Sequence, residues 1–190
     1  MRREIATLRH RAERRKCTVA FAHNDVHALN MIVEEKKDAF SLIDYEYAAH
    51  NYVGYELANH FNEYAGFGPI RWELLPTRER QETFIRDYLR SRPKFLRERR
   101  LAGERERERE GSKEAEQGGG GGGGGEGDFL QLKEAVQWLR NDVRMFFPAS
   151  HLFWGLWAVV QGNSSDIDFD YESYASQRLG KVSEYTAVNP

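Results

Sequence analysis

The chain has 190 residues, 40% of them hydrophobic and 31% charged, with a formal net charge of −2. The apolar share can fill one core, and the near-zero charge gives no signal for binding a polyanion such as nucleic acid. Cys17 is the lone cysteine, which excludes an intrachain disulfide; no stretch of membrane length and no cleavable leader within residues 1–16 is read, so the expected location is cytoplasmic, with no membrane span.

Residues 1–16 are basic, with Ile5, Leu8 and Ala12 at helical spacing, which predicts a solvated helix leading into the next element. Cys17-Thr18-Val19-Ala20-Phe21-Ala22 predicts a short buried strand that delivers a polar loop, His23-Asn24-Asp25-Val26-His27-Ala28-Leu29-Asn30. Asn30-Met31-Ile32-Val33 and Ala39-Phe40-Ser41-Leu42-Ile43 read as two strands joined by a polar turn at 34–38, so that Asp44 sits at the end of the second, beside the loop. A helix is expected over 56–65, with Leu57, Ala58 and Phe61 toward the core and Glu56, Asn59 and Glu63 along another side. Pro76-Thr77 opens a second helix, with Phe84, Ile85, Tyr88 and Leu89 as its buried stripe and Pro93 as its stop.

Residues 97–127 break this pattern. An Arg/Glu alternation over 104–110 leads into an oligo-glycine run at 118–125, with almost nothing apolar to bury, which predicts a disordered insert whose nearly cancelling charges favour a solvated loop. The glycine run lacks the flanking strand, the Lys and the Ser/Thr of a phosphate-binding loop and reads as a flexible linker. Asp128 is the expected N-cap of the next helix, with Gln131 three residues on and Leu132, Val136, Leu139, Val143 and Phe146 on one face. Pro148 is expected to end that helix and open another, apolar nearly all round over 151–160, buried in the domain centre and stopped near Gly162. A last amphipathic helix from Tyr171 carries Tyr174, Ala175, Leu179 and Val182. The expected fold class is α+β, mainly helical, around one β-hairpin.

The loop and the hairpin carry the chemistry. An Asp, an Asn five residues later, and a second Asp closing the next apolar run, here Asp25, Asn30 and Asp44, are the groups needed for transfer of a γ-phosphoryl group. One carboxylate orients the acceptor hydroxyl and takes its proton, while the others offer the hard oxygens that Mg²⁺ prefers. The same residues also suit a turn and a helix cap, since Asn and Asp are common in both. The combination with the second strand and Asp44 favours the catalytic reading.

Taken together, 23–30, Ile43-Asp44-Tyr45-Glu46-Tyr47, Asn51-Tyr52 and Asn59-His60-Phe61-Asn62-Glu63-Tyr64-Ala65-Gly66 resemble the choline/ethanolamine kinase family, and the last run looks most like its ethanolamine branch. The resemblance resumes in Ala149-Ser150-His151-Leu152-Phe153-Trp154-Gly155-Leu156-Trp157-Ala158 and Ile167-Asp168-Phe169-Asp170-Tyr171, covering about 21–185 apart from the insert.

What the resemblance implies is the C-terminal lobe of a two-lobed, protein-kinase-like fold, with the N-terminal ATP lobe missing, spanning 1–190 and interrupted at 97–127. Its activity would be transfer of the γ-phosphoryl group of MgATP to the hydroxyl of ethanolamine, giving phosphoethanolamine, the first step of the CDP-ethanolamine route to phosphatidylethanolamine. ATP is then the co-substrate and Mg²⁺ the metal; choline is the alternative substrate, a homodimer is left open, and the isolated chain is expected to be inactive because only 1–16 precede the loop's strand. By the same resemblance Asp25 and Asn30 are catalytic, Asn30, Asp44 and Glu46 hold the metal, and Glu63, Trp154 and Trp157 line the amine site. Ethanolamine offers three N–H donors, which favours carboxylate partners, and two Trp one turn apart can present adjacent rings to a cation. Core packing is the plainer reading of the Trp pair. His23 and His60 read as structural, and Glu56 stands where the family commonly has Asp, so that any bond to the loop reaches from a longer stem. Val26-His27-Ala28-Leu29 departs from the usual Leu-rich filling, which puts the loop's packing in question. A non-catalytic kinase-like fragment acting as a binding partner is the reading from a different class.

Overall fold

The structure, a computed structural model, describes residues 2–37, 39–92 and 124–188. They form two compact units, Met1–Thr77 with Asn141–Pro190, and Arg78–Arg140. The architecture is mainly helical with small sheets.

In the first unit, helix α1 (Arg2–Arg14) buries Ala12 and leaves Ile5 exposed. Strand β1 (Val19–Ala22) is two residues shorter than expected, and it is not buried: Val19 is 52% and Phe21 63% exposed. Its partner explains this. Strand β4 (Ala49–Tyr52) pairs with it antiparallel, Val19 opposite Tyr52 and Ala22 opposite Ala49, making a two-stranded ribbon with open faces. The expected hairpin is the other ribbon, β2 (Met31–Glu34) with β3 (Ala39–Leu42), Met31 opposite Leu42.

Helix α2 (Val53–Asn62) begins directly after β4, three residues before the expected start, and continues as a 3₁₀ turn, Glu63–Ala65. Nearly every side chain on it is buried, polar ones included: Asn59 and Asn62 are fully buried beside Leu57, Ala58 and Phe61. The side expected to differ from the core face therefore faces protein as well. Gly54 sits where α2 meets the long helix α4 (Gly124–Gln161); a Cβ there would lie 2.9 Å from the Phe146 ring and 3.1 Å from the Asp142 backbone. That spacing admits only glycine at the contact.

Helix α4 starts at Gly124, one turn before Asp128, and so takes in residues 124–127 of the expected insert. Residues 97–123 of the expected insert lie outside the described residues. Pro148 neither ends nor opens a helix but lies inside α4. Proline removes one backbone hydrogen bond and costs about 3 kcal/mol in a helix interior. Burial on both sides of it offsets this, since Val143, Phe146, Phe147, His151, Trp154 and Ala158 are all buried. The segment 151–160 buries one face only: Phe153, Leu156, Val159 and Val160 are exposed. Against the expectation that no stretch reaches membrane length, Leu130–Gln161 is long and apolar enough to cross a membrane by length and composition alone. Its second half supplies core residues of this unit, and its buried Asp142 carboxylate accepts from Arg15 Nε at 2.8 Å.

Helix α5 (Tyr171–Val188) closes the unit, with Tyr174, Ala175 and Arg178 buried. A Cβ on Gly155 would lie 2.7 Å from the Leu179 side chain, so α4 and α5 cross closely at that point. In the second unit, α3 (Arg78–Ser91) buries Ile85 and Leu89 along one row, while Phe84 stays 38% exposed, so the stripe is narrower than expected. Glu82 accepts from Arg78 at 2.8 Å and from Gln137 at 3.2 Å, and Val136 and Leu139 are buried.

Candidate active site

The polar loop after β1 is held by more hydrogen bonds than its length requires. Asn24 has φ +65°, in the left-handed region that side chains other than glycine avoid. Its side-chain amide donates to Tyr47 O at 2.9 Å and to Ala22 O at 3.4 Å, and its Oδ1 accepts from Asn51 Nδ2 at 2.8 Å. The backbone N–H groups of His23 and Asn24 both donate to the Glu56 carboxylate, at 3.2 and 2.7 Å, so the longer stem does reach the loop. Asn59 Nδ2 donates to Asn24 O at 3.1 Å, and His60 Nδ1 to Val26 O at 3.1 Å. Burial is the main influence lowering the His60 pKa, which suits the structural role expected of it.

This frame presents Asp25. Asn30 Nδ2 donates to Asp25 Oδ2 at 3.0 Å and to Asp25 O at 3.0 Å, closing the loop across five residues. His27 Nδ1 accepts the Leu29 N–H at 3.2 Å, which places the ring proton on Nε2, 3.4 Å from Asp25 Oδ2. The question raised by the Leu-poor filling is settled by polar contacts: His27 caps the 3₁₀ turn Ala28–Asn30 and packs edge-on against Phe67, ring centroids 4.7 Å apart. Asp25 Oδ2 thus accepts from Asn30 and has His27 Nε2 beside it.

Asp44 also has positive φ, +62°. The residue before it is tied to the loop twice, Ile43 N–H donating to Asn30 O at 3.0 Å and His23 Nε2 donating to Ile43 O at 2.8 Å. Strained, over-determined backbone on both sides of a polar loop is typical of functional positions. Asp44 and Glu46 are exposed. Among the described residues, no three His, Cys, Asp or Glu side chains gather into a cage for a metal ion. The donors at hand are two carboxylates and the Asn30 carboxamide oxygen, left over because Nδ2 is turned to Asp25. All are hard oxygens, and Mg²⁺ is commonly held by one or two carboxylates with phosphates and water completing the shell, so the set fits that ion.

Glu63 is buried, and its Oε1 accepts from Arg178 Nη1 at 2.9 Å. Arg178 Nη2 donates to Ser150 Oγ at 3.3 Å, and the guanidinium lies over the Tyr174 ring, 5.4 Å from its centroid. Burial raises the Glu63 carboxyl above the usual carboxylate range, and the Arg178 charge offsets only part of that rise. Arg178 escaped the sequence reading although a signal was present: it stands four residues after Tyr174, a charge on the face of α5 that must be buried.

The Trp pair is in contact, ring centroids 5.5 Å apart at 74°. Trp154 is 6% exposed and its indole N–H donates to Asn59 Oδ1 at 2.7 Å, in a core cluster with Ala158, Tyr174 and Ala175. Trp157 is half-buried, its N–H donating to Tyr47 Oη at 3.0 Å and its ring 5.8 Å from Tyr171. Tyr47, Phe67, Phe169 and Tyr171 pack against the same cluster, an aromatic assembly that neither Trp alone revealed.

His151 is fully buried, stacked on Tyr185 with centroids 5.7 Å apart, and neither ring nitrogen has a hydrogen-bond partner among the described residues. Burial first, then the charges of Arg178 and Lys181, push its pKa down from 6.5 to about 2. The folded chain therefore keeps it neutral while the unfolded chain protonates it near pH 6.5. Its contribution to stability is complete above that pH and is lost progressively as pH falls toward 2. The thermal midpoint should accordingly drop between pH 7 and pH 5, and drop less in His151→Phe; identical slopes in the two proteins would rule out His151 as the group responsible.

A family model described as choline/ethanolamine kinase matches residues 1–183. Among curated proteins, the chain is 33% identical to a probable ethanolamine kinase of Nematostella vectensis over 94% of this chain and 43% of that one. It is 34% identical to ethanolamine kinase 1 of Homo sapiens, over 86% of this chain and 30% of that one. It is 32% identical to probable choline kinase 3 of Arabidopsis thaliana, over 85% and 38%. Among solved structures, an ethanolamine kinase of Plasmodium vivax superposes with a TM-score of 0.68 at 28% identity, over 95% of this chain and 38% of that chain. The chain thus spans between 30% and 43% of the length of these relatives. The Asp25 loop, the tethered hairpin and the helices that enclose Glu63 all lie inside the matched region, and the chain belongs to the choline/ethanolamine kinase family.

Proposed function

We propose that this chain furnishes the catalytic-loop lobe of an enzyme that transfers the γ-phosphoryl group of ATP to the hydroxyl of ethanolamine. The observation that carries this reading is the clamp on Asp25, whose Oδ2 accepts one hydrogen bond from Asn30 and faces His27 Nε2–H. With Oδ2 so occupied, we assign Oδ1 to the acceptor hydroxyl, where it orients the oxygen for in-line attack and takes its proton. Asn30 serves twice, its Nδ2 fixing the base and its carboxamide oxygen joining Asp44 and Glu46 as candidate ligands of Mg²⁺. When bound, that ion neutralises charge on the phosphate oxygens.

The amine end follows from Glu63 and the aromatic cluster. Trp157, with Trp154 behind it, offers ring faces to a cation at about 0.5–2 kcal/mol, and Glu63 Oε2, which has no partner among the described residues, can accept an N–H bond from a primary ammonium. Choline has no such donor, so the buried carboxylate favours ethanolamine. Cytoplasmic location and association with a second copy belong to the same proposal and rest on the family resemblance alone.

The test is a chimera in which this chain replaces the matching segment of an ethanolamine kinase, assayed for MgATP-dependent phosphorylation of ethanolamine and choline. Glu63→Gln should lower kcat/KM for ethanolamine more than for choline, by about tenfold or more in the ratio. Trp157→Ala should hurt both amines. An unchanged ratio in Glu63→Gln would remove the basis for the preference, and absence of turnover in a folded chimera would remove the assignment itself.

A further inference from the structure

We propose that Arg178 is a positioning residue that keeps Glu63 an anion and leaves one of its oxygens free for the substrate's ammonium group. The inference rests on the reading of Glu63 as the amine partner and adds the group on which that role depends. The Glu63 side chain is 2% exposed and that of Arg178 is fully buried, so water screens neither charge. A carboxyl enclosed in this way would take up a proton and become a poor partner for a cation unless a fixed positive charge stood beside it.

Arg178 is that charge, and its geometry is fixed from three sides. Nη1 is spent on Glu63 Oε1, Nη2 on Ser150 Oγ, and the guanidinium plane rests on Tyr174. Ser150 Oγ in turn donates to Asn59 Oδ1 at 2.8 Å, and Asn59 Nδ2 donates to the backbone oxygen of Asn24, the residue before Asp25. The same arginine that orients Glu63 is therefore connected by hydrogen bonds to the loop that presents the base. Among the described residues two buried atoms of the pair have no partner, Glu63 Oε2 and Arg178 Nε. A single-toothed contact rather than the paired fork common for arginine and carboxylate leaves Oε2 open.

The other groups that act on Glu63 cannot replace Arg178. His27 acts on Glu63 less than Arg178 does and its Nδ1 is spent on the Leu29 N–H, while Asp25 opposes the negative charge. Tyr55 and Tyr174 are phenols that burial keeps neutral. Ser150 and Asn59 carry no charge.

The experiment uses the 190-residue chain, with the Glu63 carboxyl carbon assigned by Glu63→Gln and followed by ¹³C NMR against pH in the wild type, Arg178→Lys and Arg178→Gln. Ethanolamine and choline are titrated as probes at pH 7 and pH 9. Expected are an ionised Glu63 at pH 7 in the wild type and in Arg178→Lys, and a protonated one in Arg178→Gln. In the last, ethanolamine binding should weaken about tenfold or more at pH 7 and recover at pH 9, while choline changes less. A merely structural arginine would move both amines together with no dependence on pH. Glu63 that stays ionised at pH 7 in Arg178→Gln overturns the proposal. If that variant fails to fold, a wild-type Glu63 found protonated at pH 7 overturns it equally. Should Glu63→Gln bind ethanolamine as well as the wild type, the amine reading of Glu63 fails and the proposal with it, whatever the titration shows.

Discussion

Asp25→Asn in the chimeric kinase should lower kcat by about 10²–10⁴-fold with little change in KM for ethanolamine. The substitution is nearly isosteric, and the carbonyl oxygen of the new amide can still accept from Asn30 and His27, so the loop keeps its shape. What disappears is the capacity to take the hydroxyl proton. Asp44→Ala should cost a comparable factor by another route, through a raised requirement for Mg²⁺, because Asp44 stands outside the Asp25 clamp and contributes a hard oxygen alone. Titrating Mg²⁺ separates the two: added metal should rescue Asp44→Ala in part and Asp25→Asn not at all. Near-normal turnover in Asp25→Asn would end the assignment of the base.

The largest effect on stability is expected at Asn24. Asn24→Ala strips one acceptor and two donors from the loop, leaves Asn51 Nδ2 and Tyr47 O without that partner, and forces alanine to hold a φ of +65°. The backbone cost is about 1 kcal/mol and each abandoned partner about 1 kcal/mol or more, which sums to about 3–4 kcal/mol. For a chain of this size that corresponds to a fall in melting temperature of roughly 10 °C. Asn24→Gly should recover about 1 kcal/mol of this, since glycine accepts the conformation freely. Calorimetry on the two variants decides: equal midpoints would mean that the left-handed backbone stores no strain, and midpoints at the wild-type value would mean that the hydrogen-bond hub is not holding the loop.

Much of the site was legible in the residues because its chemistry depends on local spacing. Asp25 and Asn30 lie five apart and meet within one loop, and the hairpin that carries Asp44 announces itself by two short apolar runs around a polar turn. What escaped notice depends on partners distant in sequence. Strand β4 reads Ala-His-Asn-Tyr, with no apolar alternation to mark it, and exists because β1 offers an edge to pair with. Pro148 obeys a local rule that burial on both of its flanks overrides. Trp154 takes the plainer of its two readings, buried in the core cluster with its indole N–H donated to Asn59. Arg178 is a charge on a face of α5 that Tyr174 and Ala175 mark as core, and its equally buried carboxylate partner lies 115 residues away, so no local pattern announces the pair.

That separation has a consequence for how the molecule is made. Glu63 leaves the ribosome 115 residues before Arg178, about 6–23 s earlier at synthesis rates of roughly 5–20 residues per second. Throughout that interval the nascent chain holds a catalytic loop already translated and an acidic side chain whose counter-charge has not yet been polymerised. Burying Glu63 within that interval would cost the desolvation of an unpaired carboxylate or its protonation. Helix α5 thus completes a site whose loop is translated before it, and chains released before α5 is complete would retain the Asp25 loop without the arginine that pairs with Glu63.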